Sequence, residues 1–229
     1  MKTSSHGDHL TKITKGGFVN AFLVREDDGL TLVDTMLPRS EKGILEAAEA
    51  LGAPIVRIAL THAHQDHVGS VDALKRALPD AEVLITARDA RFLTGEKNFD
   101  PSETEGGKVR GAYIKIETQP TGMLNAGDRV GSLEVVPSPG HTPGHVAFLD
   151  TRDRTLIAGD AFLTLGGTGV PSHANLPFPL VWMGTLNREQ ALESAKALRA
   201  LDPSRLAVGH GRVIDSPGAE MDKAIAKAS

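Results

Sequence analysis

Three imidazoles and a carboxylate fall within six residues in His62-Ala63-His64-Gln65-Asp66-His67, a dense run of side chains that can all ligate a metal. The chain has no Cys, so any metal must be held by imidazole nitrogen and carboxylate oxygen. If His62-Ala63-His64 stays extended, side chains two apart point the same way and both rings can reach one ion. Four such groups crowd a single tetrahedral ion, whereas two adjacent ions divide them, so further ligands are expected downstream. Three residues fit: His141 in Ser138-Pro139-Gly140-His141-Thr142, Asp160 in Ala158-Gly159-Asp160 and His210 in Val208-Gly209-His210-Gly211. Each follows an apolar run and sits beside glycine, which lets the backbone turn tightly enough to aim a side chain from a strand end into a shared crevice.

Those strand ends can be read from the pattern. Phe18 to Val24 and Leu30 to Val33 are β-rich runs around the turn Glu26-Asp27-Asp28-Gly29, as in an antiparallel hairpin. Ile44, Leu45, Ala48 and Leu51 share one face of a helix that stops at Gly52. The nearly all-apolar run Ile55 to Leu60 predicts a buried strand delivering the chain into the His/Asp cluster. Val71, Leu74 and Leu78 predict a helix over Val68 to Leu78, which places Asp66 and His67 at a helix N-terminus. Further strands are expected at Val83 to Thr86, Leu133 to Pro137, Val146 to Asp150, Thr155 to Ala158 and Arg205 to Val208, with helices at Arg188 to Leu201 and Glu220 to Ala228. The polar, Gly-rich stretch from Thr94 to Gly111 is read as a surface excursion. Two runs of mixed strands, each with its own helices, predict an α/β (α+β) protein: a four-layer αββα sandwich in one domain spanning residues 1–229.

Composition narrows the function. Apolar residues make up 40% and charged residues 24% of 229, an ordinary globular balance, and with one Trp, one Tyr and seven Phe the interior must be mainly aliphatic. A net charge of −4 and the lack of basic runs interleaved with aromatics argue against a nucleic-acid partner. The polar start from Met1 to Leu10, read as a frayed terminus that holds His6 and His9, has no signal-peptide core. No apolar stretch approaches the ~18–20 residues needed to span a bilayer, so no membrane partner and a cytoplasmic location are expected. There is neither a Gly-x-Ser-x-Gly elbow nor a Cys nucleophile, which leaves the chemistry to metal.

In its His-x-His-x-Asp-His run followed by separated His, Asp and His, the chain resembles the metallo-β-lactamase-fold hydrolase superfamily. Asp34, in Leu32-Val33-Asp34-Thr35, matches the family's early strand-end aspartate. The resemblance implies that His62, His64 and His141 bind one ion, that Asp66, His67 and His210 bind a second, and that Asp160 bridges them. Asp34 would orient an imidazole rather than ligate. His145 in Pro143-Gly144-His145 competes with His141 on sequence, but the family places its ligand in the first Pro-Gly-His. His173 reads as a solvated loop residue.

Two divalent ions, zinc by default with iron or manganese accepted by the same donors, would generate a metal-bound hydroxide that attacks the carbonyl of a small ester, lactone or thioester. Asp66 would help orient the nucleophile. Phe162, Phe178, Trp182 and Met183, in the Gly-rich segment 162–184, are the expected substrate contacts, a region that reads equally as a lid or as a homodimer interface. Among relatives of this pattern, true β-lactamases lack the bridging aspartate. Glyoxalase II matches every ligand position but adds a C-terminal helical portion. Homoserine-lactone hydrolases carry a tyrosine shortly after that aspartate, where this chain has Leu163; its sole tyrosine is Tyr113. The alternative of another class is a mononuclear-iron persulfide dioxygenase, which shares the motif; phosphodiester and β-lactam hydrolysis rank lower.

Overall fold

The computed structural model of the protein describes residues 1–99, 103 and 110–229. The chain opens with an antiparallel meander, β1 (Lys2–His6), β2 (Leu10–Lys15), β3 (Val19–Glu26) and β4 (Gly29–Val33). It continues through α1 (Glu41–Ala50), β5 (Ile55–Ala59), α2 (Gln65–Val68), α3 (Val71–Ala77), β6 (Glu82–Thr86), α4 (Ala87–Leu93) and β7 (Gly122–Leu124). These seven strands form one sheet in sequential order, antiparallel from β1 to β4 and parallel from β4 to β7.

The second half supplies β8 (Arg129–Val130), β9 (Leu133–Pro137), β10 (Val146–Asp150), β11 (Thr155–Ile157), α5 (Leu180–Gly184), α6 (Arg188–Ala200), β12 (Arg205–Ala207), β13 (Ile214–Asp215) and α7 (Gly218–Ala228). Its six strands run β13-β12-β11-β10-β9-β8, with β11 and β12 parallel.

The layering follows from side-chain alternation. Along β3, Phe22 and Val24 face the second sheet while Ala21 and Leu23 face the helices; along β10, Phe148 faces the first sheet while Ala147 and Leu149 turn outward. Phe22, Val33, Leu133, Val135 and Phe148 thus fill the space between sheets. Ile44, Val71, Leu74 and Phe92 seat α1, α3 and α4 on the outer face of the first sheet, and Ala195, Leu198 and Met221 seat α6 and α7 on the second. Truncating a side chain as completely buried as Phe148 would cost about 3–5 kcal/mol. The result is the expected four-layer αββα sandwich of two mixed sheets. Among the described residues no helix is long and apolar enough to cross a membrane.

Two expectations are corrected. Residues 2–15 are not frayed: β1 pairs with β2 over five registered positions, His6 opposite Leu10. Its KTSSH sequence is exposed on both faces, so hydrogen bonding forms the strand without any apolar periodicity. The single helix expected over Val68 to Leu78 is two helices, divided where Ser70 leaves the helical region at φ −108°, ψ 9°; Gly69 beside it is helical, and a Cβ there would lie 2.4 Å from Pro38. Of the excursion expected over 94–111, residues 100–102 and 104–109 lie outside the described residues; Phe99 packs against Phe92 with ring centroids 5.1 Å apart.

Candidate metal centre

Parallel pairing puts two pairs of functional residues at one edge of the sandwich. Val33 registers with Ala59, so Asp34 and the Thr61-His62 segment leave β4 and β5 at the same end. Ile157 registers with Ala207, so Asp160 and His210 leave β11 and β12 together. His141 arrives on the turn between β9 and β10. Asn20 links the two sheets beneath the site: its backbone N–H donates to Gly209 O at 2.9 Å, and its side-chain amide donates to Val208 O and Gly211 O, each at 2.8 Å.

His62, His64, Asp66, His67, His141, Asp160 and His210 all converge. His64 Nδ1 lies 3.1 Å from His62 Nε2 and 2.9 Å from His141 Nε2. On the other side, His210 Nε2 is 3.3 Å from Asp66 Oδ2, and His67 Nε2 is 3.4 Å from Asp160 Oδ1. Asp160 lies between the groups, its Oδ2 being 3.3 Å from His141 Nε2 and 3.4 Å from His210 Nε2. Close approach has a local requirement: a Cβ at Gly209 would fall 2.4 Å from Asp160 Oδ1, so only glycine fits there.

Neighbouring groups fix which nitrogen of each ring carries the proton. Thr61 Oγ1 donates to Asp34 Oδ2 at 2.8 Å and therefore accepts from His62 Nδ1 at 3.0 Å. Thr185 Oγ1 donates to Val181 O at 2.8 Å and so accepts from His141 Nδ1 at 2.9 Å. Asp34 Oδ2 accepts from His67 Nδ1 at 2.8 Å, and Phe18 O accepts from His210 Nδ1 at 3.0 Å. The opposite nitrogens thus turn toward the centre, where each would offer a lone pair to a bound ion. Asp34 does this from φ 62°, a left-handed backbone that Asp tolerates better than most residues.

Electrostatics separates the two sides. Burial, reinforced by neighbouring imidazoles, pushes His62 and His141 well below the usual histidine range and His64 down to about 4. Burial also lowers His67 and His210, but Asp160 with Asp34 overrides it for His67, and Asp160 with Asp66 raises His210 to about 10. Desolvation works against the charged carboxylates, yet the facing imidazoles hold Asp66 and Asp160 below the normal range. These residues fit divalent metal. His62 Nε2 and His141 Nε2 meet His64 Nδ1 at 3.1 and 2.9 Å, and His67 Nε2 and Asp160 Oδ1, 3.4 Å apart, are buried without a hydrogen bond. Three overlapping triplets meet the separation needed to share an ion: His62/His64/His141, His62/His67/Asp160 and Asp66/His67/His210.

Several supporting residues carry no motif. The Asp89 carboxylate accepts from Ala63 N at 2.9 Å, Thr142 Oγ1 at 2.7 Å and Gly144 N at 2.8 Å, joining the His62–His64 segment to the His141 turn. Burial outweighs these bonds and pushes its carboxyl up to about 6. His145 donates from Nδ1 to Ser138 Oγ at 2.8 Å and accepts from Asp160 N at 3.1 Å, so both its nitrogens are engaged beneath the cluster. Asp89, Thr61, Thr185 and Asn20 act mainly on backbone groups or on a ring's far side, and spacing along the chain contains no sign of that.

The centre floors a cleft of about 480 Å³ whose walls include Phe18, Leu37, Leu180, Val181 and Met183. Of the four expected substrate contacts, Met183 lies on this wall. Phe178 stacks on Phe18 and His210, with ring centroids 5.8 and 4.9 Å away. Phe162 is a correction: it is completely buried with Ala195 and Leu198, because Asp160 turns the chain back under the second sheet. Trp182 is another, lying under the Arg188 guanidinium at 4.6 Å and off the cleft wall. His173 is exposed and borders a different hollow.

An αββα sandwich with clustered His and Asp at one edge defines a metallo-hydrolase scaffold. The chain belongs to the metallo-beta-lactamase superfamily, whose family model matches residues 14–210. It is 46% identical over 210 residues to Uncharacterized protein YobT of Bacillus subtilis, covering 92% of this chain and 90% of that one. It is 32% identical over 165 residues to the hydroxyacylglutathione hydrolase of Aeromonas hydrophila subsp. hydrophila, covering 68% of this chain and 53% of that enzyme. Among solved structures, TTHA1623 in a di-iron-bound form superposes with a TM-score of 0.66 at 30% identity, covering 90% of this chain and 93% of that one.

Proposed function

We propose that this protein is a dinuclear metal-dependent hydrolase that cleaves the acyl C–O or C–S bond of an ester, lactone or thioester. The observation that carries the reading is Asp160: its two oxygens lie within 3.4 Å of His67, His141 and His210, between two clusters of inward-facing donors. In this reading His62, His64 and His141 hold one ion, Asp66, His67 and His210 hold the other, and Asp160 reaches both. When bound, such ions supply Lewis acidity and activate water near neutral pH. Zinc is the ion proposed.

The chain's own part is orientation. Thr61, Asp34, Thr185 and the Phe18 carbonyl keep the four rings in the tautomer that leaves the inward nitrogen free. Asp66 lines the open cleft, where it would orient the attacking water. The buried floor excludes bulk solvent on the protein side, which strengthens every charge interaction there. The relationship to hydroxyacylglutathione hydrolase supports carbonyl hydrolysis, although the match spans about half of that enzyme.

The test is proton release from a panel of lactones, thioesters, esters, β-lactams and phosphodiesters, with metal content measured on the same preparation. Turnover of one carbonyl class that is lost on chelation and restored by zinc is the expected result. A single iron per chain, with oxygen-dependent persulfide oxidation and no hydrolysis, would overturn it in favour of an oxidoreductase.

A further inference from the structure

We propose that the cleft selects neutral substrates bearing an alkyl or acyl chain, laid against α5; this rests on the hydrolase reading above. The floor and the wall have opposite chemistry. The floor carries His64, Asp66, His141, Asp160 and His210, whereas Phe18, Leu37, Ala112, Leu180, Val181 and Met183 form the sides. Gln65 is the polar wall residue outside the ligand set, and no Lys or Arg lines the cleft among the described residues. A substrate carboxylate or phosphate away from the floor would be desolvated against Leu, Met and Phe, with no cation among the described lining residues to receive it. An alkyl chain there loses water at no such cost.

The wall is apolar where solvent reaches it. Leu180, Met183 and Phe18 are 58%, 55% and 36% exposed, against the tendency of large apolar side chains to be covered. Leu180 and Met183 are three residues apart on α5 and share a face. Gly184 completes the slot: a Cβ there would make van der Waals contact with both His64 Cε1, at 3.4 Å, and His141 Cε1, at 3.5 Å, so a longer side chain would project into the space between helix and floor. The wall is also tied to the floor, since Thr185 at the end of α5 holds His141 Nδ1 at 2.9 Å. A chain lying along α5 therefore ends beside the centre without the helix having to move.

The test uses binding rather than turnover. Occupancy of the cleft is read by isothermal titration calorimetry, because Trp182, the only Trp, packs under Arg188 off the cleft wall and would not report it. Metal-loaded protein is titrated with 2-pentanone, 2-heptanone and 2-nonanone, and with the oxo-acid 5-oxohexane-1-sulfonate, whose sulfonate is a poor metal ligand, as the charged counterpart of 2-heptanone. Affinity should rise about 2- to 4-fold per methylene, the upper value corresponding to full burial. The oxo-acid should bind at least about tenfold more weakly than 2-heptanone, and Met183→Lys should narrow that gap. Equal affinity along the series, or an oxo-acid that binds as well as the ketone, overturns the proposal. Flat ketone binding with carbonyl hydrolysis intact removes the alkyl wall alone. Graded ketone binding by a protein that hydrolyses no carbonyl removes the hydrolase reading alone.

Discussion

The floor and the rim of one cleft are built by different rules. On the floor, each of His62, His67, His141 and His210 has its outward nitrogen engaged by a named partner, and the elements behind them are strand ends locked by parallel register. On the rim, Leu180 and Met183 stand in solvent on a five-residue helix. Buried rings held from behind fix a reaction; a short exposed helix sets what is brought to it. Changes on the floor should therefore alter metal content and rate together, while changes on the rim should alter preference.

The largest effect is expected from Asp160→Ala. Losing the carboxylate that faces both clusters should lower kcat/KM by more than about 100-fold, beyond the usual range for an outer partner, and reduce bound metal measured by plasma mass spectrometry. Asp34→Ala removes the acceptor for His67 Nδ1 and for Thr61, so metal affinity should fall about 10- to 100-fold by competition with a chelator dye. An unchanged affinity would show that ring orientation on the floor does not depend on it.

Asp89 tests the floor without touching a ligand. Burial raises its carboxyl from the ordinary 3.8 to about 6 in the fold, so the unfolded chain releases this proton first as pH rises. Its contribution to stability is then fully present below pH 3.8, declines as pH rises through the interval up to about 6, and is constant above that. Asp89→Asn should remove this component from urea melts recorded across the interval, and should destabilise the fold by about 1–3 kcal/mol because the amide cannot satisfy all three donors. An identical pH profile in the variant would place the titration elsewhere. The smallest effect belongs to the rim: Met183→Ala should reduce kcat/KM for a long acyl ester by less than about tenfold and leave an acetyl ester nearly unchanged. Equal losses on both esters would mean that Met183 acts on the floor.

Periodicity located most strands and the major helices, because alternation and apolar runs directly record which face is buried. It missed β2, the short strands β7, β8 and β13 and the five-residue α5, as well as β1, whose residues are polar on both faces, and α4 with its Asp89, whose importance lies in backbone N–H groups brought to it from residues 63 and 144. It also placed Phe162 and Trp182 in the cleft, because an apolar residue near a motif has the same appearance whether it packs inward or faces a substrate.

Residue type and order by themselves determined the donor set. Imidazole and carboxylate are the only ligands a chain without Cys offers in such density, and glycine beside His141, Asp160 and His210 marks tight turns at strand ends. The tertiary structure decided which donors meet, which nitrogen of each ring turns inward and which apolar side chains border the centre. These depend on contacts between residues up to 192 positions apart, such as Phe18 O with His210 Nδ1, and a pattern along the chain carries no information about them.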